Sequence, residues 1–347
     1  MACRAVAGMK ILHILPELEI GGVERHVIDL SNELRMRGDE VTVVSAGGRM
    51  EKQLQDGIRT LHLPVHKKNP LTGYYSARRI ARIVSEEKYD IIHAHSRVPA
   101  WIAMWSSRMS GLPYIVTAHV DFGTKTPWIY TPYRNASRVI CVSDAVRTAM
   151  KDCFYDNTIV IVNGIKKPEE RWNEALREQN RLLFVGRLSS VKGLQDVIRA
   201  LPADVSWTLD VVGDGPQRAE WESLCRERGF SERVVFHGFS DRVEHFMANS
   251  SCLLFPSYNE GMPLTLALAV LVGIPVLASA IQPVIELKGD ADGLLPPGDT
   301  AAWNSALSEF LKHRSSCPVF PSSRVPTLEH MVDQVKEVYQ NSAARNS

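Results

Sequence analysis

The sequence lacks the cysteine pattern of a disulfide-bonded or zinc-binding protein. Its six cysteines include no C-x-x-C pair, and Cys141 and Cys252 lie inside apolar runs that are typical of strands. Scattered cysteines inside such runs are typical of reduced thiols in a protein core. A disulfide scaffold is therefore excluded, and a cytoplasmic chain is expected.

An uninterrupted apolar segment that could cross a bilayer is also missing. The long uncharged run over residues 261–285 is interrupted by Gly273 and Pro275. This pair is typical of a helix that ends and a strand that begins, and it predicts a helix of about ten residues followed by the strand 275–279. A membrane-spanning helix would need about 20 apolar residues. Near the N-terminus the apolar run closes at Pro16, so no signal peptide is expected.

The chain carries little net charge. The total is +1, but residues 1–175 contain 24 Lys and Arg against 19 Asp and Glu, whereas residues 176–347 contain 16 against 20. This excess is too small for nucleic acid, so no nucleic-acid partner is expected. The basic excess of the first half suits an anionic membrane or an acidic substrate, and ordinary scatter of surface charge explains it equally well.

Length and hydrophobic content favour two globular domains. The chain has 347 residues, of which 45% are hydrophobic, and a single core usually stops growing below that length. From Met9 onward, short apolar runs alternate with glycine loops and segments of helical periodicity. This alternation predicts an α/β fold of two doubly wound, Rossmann-like domains with a cleft between them and functional loops at the carboxyl ends of the strands.

The polar segment 166–181 interrupts the alternation and predicts a connection between the two domains. The first domain is then expected over residues 9–165 and the second over residues 182–327. Helical spacing of Met331, Val335 and Val338 predicts a final amphipathic helix over residues 328–342, packed back on the first domain.

Two loops carry residues that suit phosphate groups. Gly21 and Gly22 follow the first predicted strand and precede a helix, where the backbone can approach an anion. Their spacing is not G-x-G-x-x-G, and a plain tight turn fits them equally well. In "VGRLSSVKG", residues 185–193, Arg187 and Lys192 lie just beyond a strand and suit a diphosphate without a metal. Taken alone, this pair is more typical of solvated surface charges.

Histidines end two neighbouring predicted strands. His93 and His95 lie in "HAHS", and His119 ends "TAH". No Asp or Glu stands beside them at zinc-ligand spacing, so no metal site is expected. A histidine at the carboxyl end of a strand is better placed to hydrogen-bond a substrate or relay a proton.

A lone carboxylate precedes the most apolar segment. Glu260 stands before Gly261 in "NEGMPLTLALAVLVGIPVLAS", and the next acid is Glu286. The helix that begins after Glu260 presents unpaired N–H groups and the positive end of its macrodipole to any neighbouring anion. This arrangement favours a site for a sugar or a phosphate.

The chain contains nine short motifs: "GGVERHV", "HAHS", "VTAH", "VSDAVR", "VNGI", "VGRLSSVKG", "VVGDGP", "FHGF" and "NEGMPLTLALAVLVGIPVLAS". In this order and spacing, they resemble those of the retaining nucleotide-sugar glycosyltransferases of family 4, which have the GT-B fold. The resemblance covers residues 9–340. It implies an acceptor-side first domain and a second domain that binds a UDP-sugar or GDP-sugar donor. It also implies metal-independent transfer with retention, without a cofactor, to a glycan or lipid-linked acceptor, as in polysaccharide or lipopolysaccharide biosynthesis.

The resemblance also assigns roles to individual residues. His119 and Glu260 would be the catalytic pair, with His119 near the reacting carbon of the transferred sugar and Glu260 on its hydroxyls. Arg187 and Lys192 would hold the donor diphosphate. The remaining donor-binding positions would be Gly22, Gly213, Gly261, Met262, Pro263, Leu264 and Leu268.

One of these positions departs from the family pattern. Eight residues after Glu260 the family has a second glutamate that holds the ribose, and this chain has Leu268. The next loop also departs, because Gln282 and Pro283 stand where the family usually has a glycine pair, although Glu286 keeps its place. Losing two charge-assisted hydrogen bonds to the ribose would cost roughly 1.5–3 kcal/mol each, which lowers nucleotide affinity.

Two other functions remain open at this point. One is a nucleotide-binding or scaffold subunit of a glycosyltransferase complex that has lost catalysis, and the other is a nucleotide-sugar epimerase of the same fold. A separate carboxylate cluster that could act on the sugar would indicate the epimerase, and the sequence shows none.

A basic, aromatic segment suggests peripheral contact with an anionic membrane. "HKKNPLTGYYSARRIARIVSEEK" joins five cations to Tyr74, Tyr75, Ile80 and Ile83. The cations are Lys67, Lys68, Arg78, Arg79 and Arg82. An ordinary solvated helix face explains the segment equally well.

Overall fold

The alternating pattern of the first half folds into a parallel sheet with helices in its connections. A computed structural model describes residues 8–120, 126–154, 156–175, 180–313 and 317–344. Seven strands pair in the order β3-β2-β1-β4-β5-β6-β7, and all of these pairs are parallel. The strands are β1 Lys10–Ile14, β2 Glu40–Ser45, β3 Arg59–His62, β4 Ile91–His95, β5 Tyr114–Ala118, β6 Arg138–Cys141 and β7 Thr158–Val160. The helices are α1 Gly22–Met36, α2 Pro70–Glu86, α3 Arg97–Ser110, α4 Thr131–Arg134 and α5 Asp144–Ala149.

The second half forms a smaller sheet of the same kind. Five strands pair in the order β10-β9-β8-β11-β12, again all parallel. They are β8 Arg181–Val185, β9 Thr208–Val212, β10 Val234–Gly238, β11 Cys252–Phe255 and β12 Val276–Ala278. The helices are α6 Leu194–Ala200, α7 Arg218–Glu227, α8 Val243–Ala248, α9 Leu264–Val272, α10 Gln282–Lys288 and α11 Thr300–His313. The apolar run "GLLP", residues 293–296, predicts a further strand, but that prediction is wrong, because Leu295 forms only a single bridge to Ser279.

The chain divides into two compact units. The first unit contains Met1–Lys166 and Pro326–Ser347, and the second contains Lys167–Val325. The segment predicted as a connection packs on the second unit, since the Trp172 indole N–H donates to the Ser250 carbonyl at 2.8 Å. Residues 176–179 of that segment lie outside the described residues.

The last helix, α12 Leu328–Ala343, returns to the first unit. Ile165 pairs with Thr327 in a parallel bridge, which brings the start of α12 beside the end of the first unit. Met331, Val335 and Val338 are buried in the core of that unit, together with residues of α1 and β1. The second unit has its own core, built on Trp221 and Trp303.

The uncharged run 261–285 does not fold as a membrane span. α9 ends at Val272 and is capped by Gly273, whose φ of +95° is a left-handed conformation that glycine adopts without strain. β12 then begins at Val276. Among the described residues, no helix combines the length and the apolar character needed to span a bilayer.

Candidate active site

Each sheet has one point where the strand order reverses direction. In the first unit this point lies between β1 and β4, and in the second unit it lies between β8 and β11. Loops leaving the carboxyl ends of two such strands diverge to opposite sides, which leaves a crevice where α/β proteins bind ligands. The predicted site residues group at these two points.

In the second unit, close backbone contacts hold together the loops after β8 and β9. The Leu188 N–H donates to the Asp214 carbonyl at 2.9 Å. Gly213 has a φ of +136°, and a Cβ there would lie 1.9 Å from the Gly186 carbonyl oxygen. Glycine is therefore required at position 213 for the packing of the loop that carries Arg187. That side chain is exposed and makes no hydrogen bond or ion pair with the described residues.

The loop after β11 is joined to the same region. The Tyr258 N–H donates to the Val191 carbonyl at 2.8 Å. Gly193 has a φ of +70°, and a Cβ there would lie 2.0 Å from the Pro256 carbonyl oxygen. These contacts bring Lys192 and Glu260 together although they are 68 residues apart in the chain.

Lys192 and Glu260 form an ion pair. The Lys192 ammonium donates to Glu260 Oε1 at 2.6 Å, and the Ser257 hydroxyl donates to the same oxygen at 2.8 Å. The two charged side chains are only 24% and 12% exposed. Because the pair is half-buried, its attraction is screened less than that of a surface pair. The predicted cation for the diphosphate and the predicted carboxylate for the sugar are therefore direct neighbours.

The N-terminus of α9 follows Glu260 directly. Gly261, Met262 and Pro263 are buried, and Pro263 occupies the N-cap position without a side chain that could accept a hydrogen bond. Leu264 begins the helix, and no acidic residue lies in its first turn. The positive end of the helix dipole is therefore not offset by a side chain of its own first turn.

Leu268 lies in the second turn of α9. Its neighbours Ala267 and Ala269 are buried, whereas Leu268 itself is half-buried. On α10, Gln282 is exposed, Pro283 is buried and Glu286 is half-buried.

In the first unit, five histidines form one cluster. β1 pairs with β4 so that His13 lies opposite His93, and β4 pairs with β5 so that His95 lies opposite Thr117. His119 follows β5 directly, and His26 reaches the cluster from α1. The His26 ring centroid lies 5.0 Å from that of His119. Gly22, the first residue of α1, is therefore one helical turn from the cluster.

Hydrogen bonds link the cluster in two groups. His95 Nε2 lies 3.1 Å from His13 Nδ1, and His95 Nδ1 lies 3.1 Å from His119 Nε2. A neutral imidazole carries one N–H, so His95 donates one of these bonds and accepts the other. Separately, His93 Nδ1 lies 2.7 Å from the Tyr339 hydroxyl and His93 Nε2 lies 2.7 Å from the Thr117 hydroxyl.

Burial keeps these histidines neutral. Loss of hydration lowers the pKa of His13 to about 3 and that of His26 to about 4. Burial, followed by the proximity of the other imidazoles, lowers the pKa of His93 and of His95 well below the ordinary value. Burial and then His26 lower the pKa of His119 in the same direction. At neutral pH the cluster offers uncharged donors and lone pairs.

Sequence reasoning found three members of this cluster and missed the others. His13 and His26 were not singled out, nor was Tyr339 from the C-terminal helix. His13 lies next to the last residue of β1, much as His95 ends β4, and this signal could have found it. Two trios of the cluster, His13-His93-His95 and His26-His95-His119, have nitrogen atoms within 4.8 Å of one another. Three histidines can thus come close enough to hold a metal ion without an Asp or Glu, although the lack of an acidic residue predicted no metal site.

Two doubly wound units, each with its site residues at the point of strand reversal, define the GT-B architecture of glycosyltransferases. Two adjoining family models match the chain, namely Glycosyltransferase Family 4 over residues 20–167 and Glycosyl transferases group 1 over residues 166–322. The chain therefore belongs to glycosyltransferase family 4, and the resemblance inferred from its motifs is confirmed.

Individual relatives agree with this assignment. The chain is 25% identical to phosphatidyl-myo-inositol mannosyltransferase of Mycobacterium leprae, with 84% of each protein covered. It is 24% identical to the lipopolysaccharide core biosynthesis glycosyltransferase LpsD of Rhizobium meliloti, covering 86% of this chain and 87% of LpsD. The crystal structure of Anabaena HepE in complex with UDP-glucose is similar in fold, with a TM-score of 0.75, 20% identity, and coverage of 97% of this chain and 99% of HepE. The predicted α/β GT-B fold is confirmed.

Proposed function

We propose that this glycosyltransferase transfers a sugar from a nucleotide diphosphate sugar to a glycan or lipid-linked acceptor, with retention and without a metal ion. The observation that carries the proposal is the pairing of Lys192 with Glu260 beside the N-terminus of α9, at the strand reversal of the second unit. Retention follows from the family resemblance. UDP and UDP-glucose complexes of a protein with the same fold support a nucleotide sugar as donor.

The donor diphosphate would be held by Arg187 and Lys192. Arg187 has no acidic partner among the described residues, so its guanidinium is available for a bidentate contact to phosphate. Lys192 is held by Glu260 at 2.6 Å and would turn toward the phosphate when the donor binds. Two cations and the positive end of α9 would together stabilise the negative charge that develops on the departing diphosphate, the role that a metal ion plays in other enzymes.

The transferred sugar would contact His119 and Glu260. Glu260 is an acceptor for sugar hydroxyls, and its second carboxylate oxygen is not used by Lys192 or Ser257. His119 is neutral, because burial lowers its pKa, and is tied through Nε2 to His95. It therefore orients a hydrogen bond to the sugar rather than adding a charge beside the reacting carbon.

A first experiment tests the enzyme class. Thermal-shift measurements with UDP and GDP identify the nucleotide, and donor hydrolysis is then measured with sugars of that nucleotide. Turnover that is lost in Glu260→Gln supports the proposal, and NMR of the product anomer tests retention. Nucleotide binding without turnover of any donor sugar or acceptor would indicate a non-catalytic subunit instead.

The acceptor is proposed to be presented at an anionic membrane by α2. On this helix Arg78 and Arg79 are exposed, and Leu71, Tyr74 and Tyr75 are 81%, 50% and 55% exposed. An exposed face that joins cations to aromatic and aliphatic side chains suits a headgroup region. The names of the mannosyltransferase and of LpsD, which point to a phosphatidylinositol and to lipopolysaccharide, support a lipid-linked acceptor.

Aromatic residues of the neighbouring helix continue this surface. The ring centroid of Tyr74 lies 6.3 Å from Trp105, and Trp101 lies 5.5 Å from Trp105 and 6.5 Å from the 66% exposed Trp128. Ile80, which the sequence grouped with this surface, is fully buried and is a core residue instead.

Flotation with liposomes tests the membrane contact. Anionic liposomes at low salt should carry the protein, and zwitterionic liposomes should not. Arg78→Glu with Arg79→Glu should abolish flotation, whereas Arg226→Glu, a charge reversal at an exposed residue of α7, should leave it unchanged. Flotation that is equal for both liposome types, or equally reduced by the control, would contradict an electrostatic membrane surface.

A further inference from the structure

We propose that His26, His95 and His119 form a binding site for a first-row transition-metal ion of the zinc type, and that this ion inhibits the enzyme by adding positive charge beside the donor sugar that His119 would contact. One nitrogen of each histidine lies within 4.8 Å of one nitrogen of each of the other two. Imidazole nitrogen suits Zn²⁺, Co²⁺, Ni²⁺ and Cu²⁺, whereas Mg²⁺ and Ca²⁺ prefer oxygen.

The distances suit a tetrahedral ion. Zinc–nitrogen bonds of about 2.0–2.1 Å place two ligand nitrogens about 3.3 Å apart. His95 Nδ1 and His119 Nε2 are already 3.1 Å apart. The ion would replace the hydrogen bond between these two atoms, so both would present lone pairs.

His13 supports the arrangement from behind. A metal on His95 Nδ1 leaves the proton on His95 Nε2, which lies 3.1 Å from His13 Nδ1 and can donate to it. A ligating histidine usually donates its other N–H in this way, because the second bond fixes the tautomer and the ring orientation. The required tautomer of His95 is thus one that the structure already accommodates.

The other trio is a poorer site. Both nitrogens of His93 are engaged, with Tyr339 and with Thr117, each at 2.7 Å. His13, His93 and His95 are also fully buried, whereas His26 and His119 are 6% and 8% exposed. His26 Nε2 is buried and has no hydrogen-bond partner among the described residues. An ion can therefore reach His26, His95 and His119 more easily, and fewer hydrogen bonds are lost when it binds there.

The site has three ligands and no carboxylate among the described residues. Three histidines leave a fourth position for water or another small ligand, as in open zinc sites. Since no ligand neutralises the charge of the ion, binding should be weaker than in a closed cysteine site, and therefore reversible by chelators.

Binding is measured on tag-free, chelator-treated protein by calorimetry with Zn²⁺ and by visible absorption with Co²⁺. One ion should bind per chain, and the intense Co²⁺ bands of tetrahedral coordination should appear. His26→Gln should weaken binding at least tenfold, while His330→Gln, an exposed histidine of α12, should leave it unchanged. A wild-type chain without saturable binding, or equal affinity in His26→Gln, would overturn the site.

Zinc-edge X-ray absorption of the wild type tests the site without depending on a variant that could misfold. Three imidazole-type nitrogen neighbours support the site, and sulfur or all-oxygen coordination refutes it.

The inhibitory role rests on the proposed function and has its own readout. Zn²⁺ should slow donor turnover, expressed relative to the metal-free rate of each variant, and His26→Gln should remove this inhibition. Turnover unaffected by Zn²⁺ at saturating metal would refute inhibition. If the chain turns over no donor, the proposed function fails while calorimetry still decides the metal site.

Discussion

Lys192 and Glu260 are the best test of the donor site, because the structure ties their effects together. Lys192→Ala removes a charge-assisted contact to the diphosphate, worth about 1.5–3 kcal/mol, which corresponds to roughly a 10- to 150-fold weaker affinity. It also leaves Glu260, whose side chain is 12% exposed, without its cation. At about 6 Å from a phosphate and an effective dielectric constant of about 20, that carboxylate would repel it by at most about 3 kcal/mol.

The two single substitutions should therefore differ in their effect on diphosphate binding, because only Lys192→Ala should weaken it. Glu260→Gln keeps the shape of the side chain, removes the repulsion and releases Lys192 from a 2.6 Å ion pair. Nucleoside diphosphate binding should stay unchanged or tighten up to about tenfold, even though turnover falls. The affinity of the double variant for the nucleoside diphosphate should lie between those of the two single variants. It lacks the Lys192 contact to the phosphate, but it also lacks the repulsion from Glu260.

Calorimetric titration with a nucleoside diphosphate and with the corresponding nucleoside measures this cycle. Only the diphosphate should respond, since the nucleoside has no charge for Lys192 to neutralise. A melting curve of Lys192→Ala should show a loss of about 1–2 kcal/mol from the unpaired, half-buried carboxylate, partly restored in the double variant. If Glu260→Gln weakened the diphosphate as much as Lys192→Ala does, the ion pair would be a structural contact and the assignment would fall.

Three further outcomes are expected. Leu268→Glu should tighten nucleoside diphosphate binding by about 1–3 kcal/mol through the ribose hydroxyls, with no comparable gain for a deoxyribose analogue, and a destabilised variant with unchanged affinity would reject that placement. Arg187→Ala should weaken diphosphate binding without lowering the melting temperature, because this exposed guanidinium leaves no described partner unpaired. The free energy of unfolding, measured with EDTA present, should fall as the pH drops from about 6.5 toward 4, because His26 binds a proton in the unfolded chain but stays neutral when it is buried in the folded chain. His26→Gln should make the free energy of unfolding depend less steeply on pH. An unchanged dependence would contradict the burial of a neutral His26 imidazole.

Much of the fold could be predicted because it depends on local periodicity. The break at Gly273 and Pro275 ended α9 and started β12 as expected, since a left-handed glycine stops a helix wherever it occurs. The segment "GLLP" failed for a related reason. Four apolar residues satisfy a strand pattern, but whether they join a sheet depends on a neighbouring edge that local sequence does not contain.

The sequence predicts which residues belong to the candidate site, but not which of them contact one another. Lys192 and Glu260 each stand in a motif, yet their ion pair depends on β8 lying beside β11. Ile80 was assigned to a surface because its neighbours are basic, but helical geometry turns it away from Arg78 and Arg79 and into the core. Spatial pairing of this kind requires the strand order and the orientation of each helix.

The histidine cluster shows why strand order matters most at a point of reversal. β1 and β4 are neighbours although β2 and β3 lie between them in the chain, so His13 meets His93 and His95. Tyr339 then reaches His93 from a helix at the other end of the chain, 246 residues away. His119, which the resemblance assigns to the donor sugar, is held through His95 by this framework. In the hydrogen-bonded series His13–His95–His119, each imidazole must donate where its neighbour accepts. Whether His119 Nε2 donates or accepts is therefore set by residues that no ligand needs to touch.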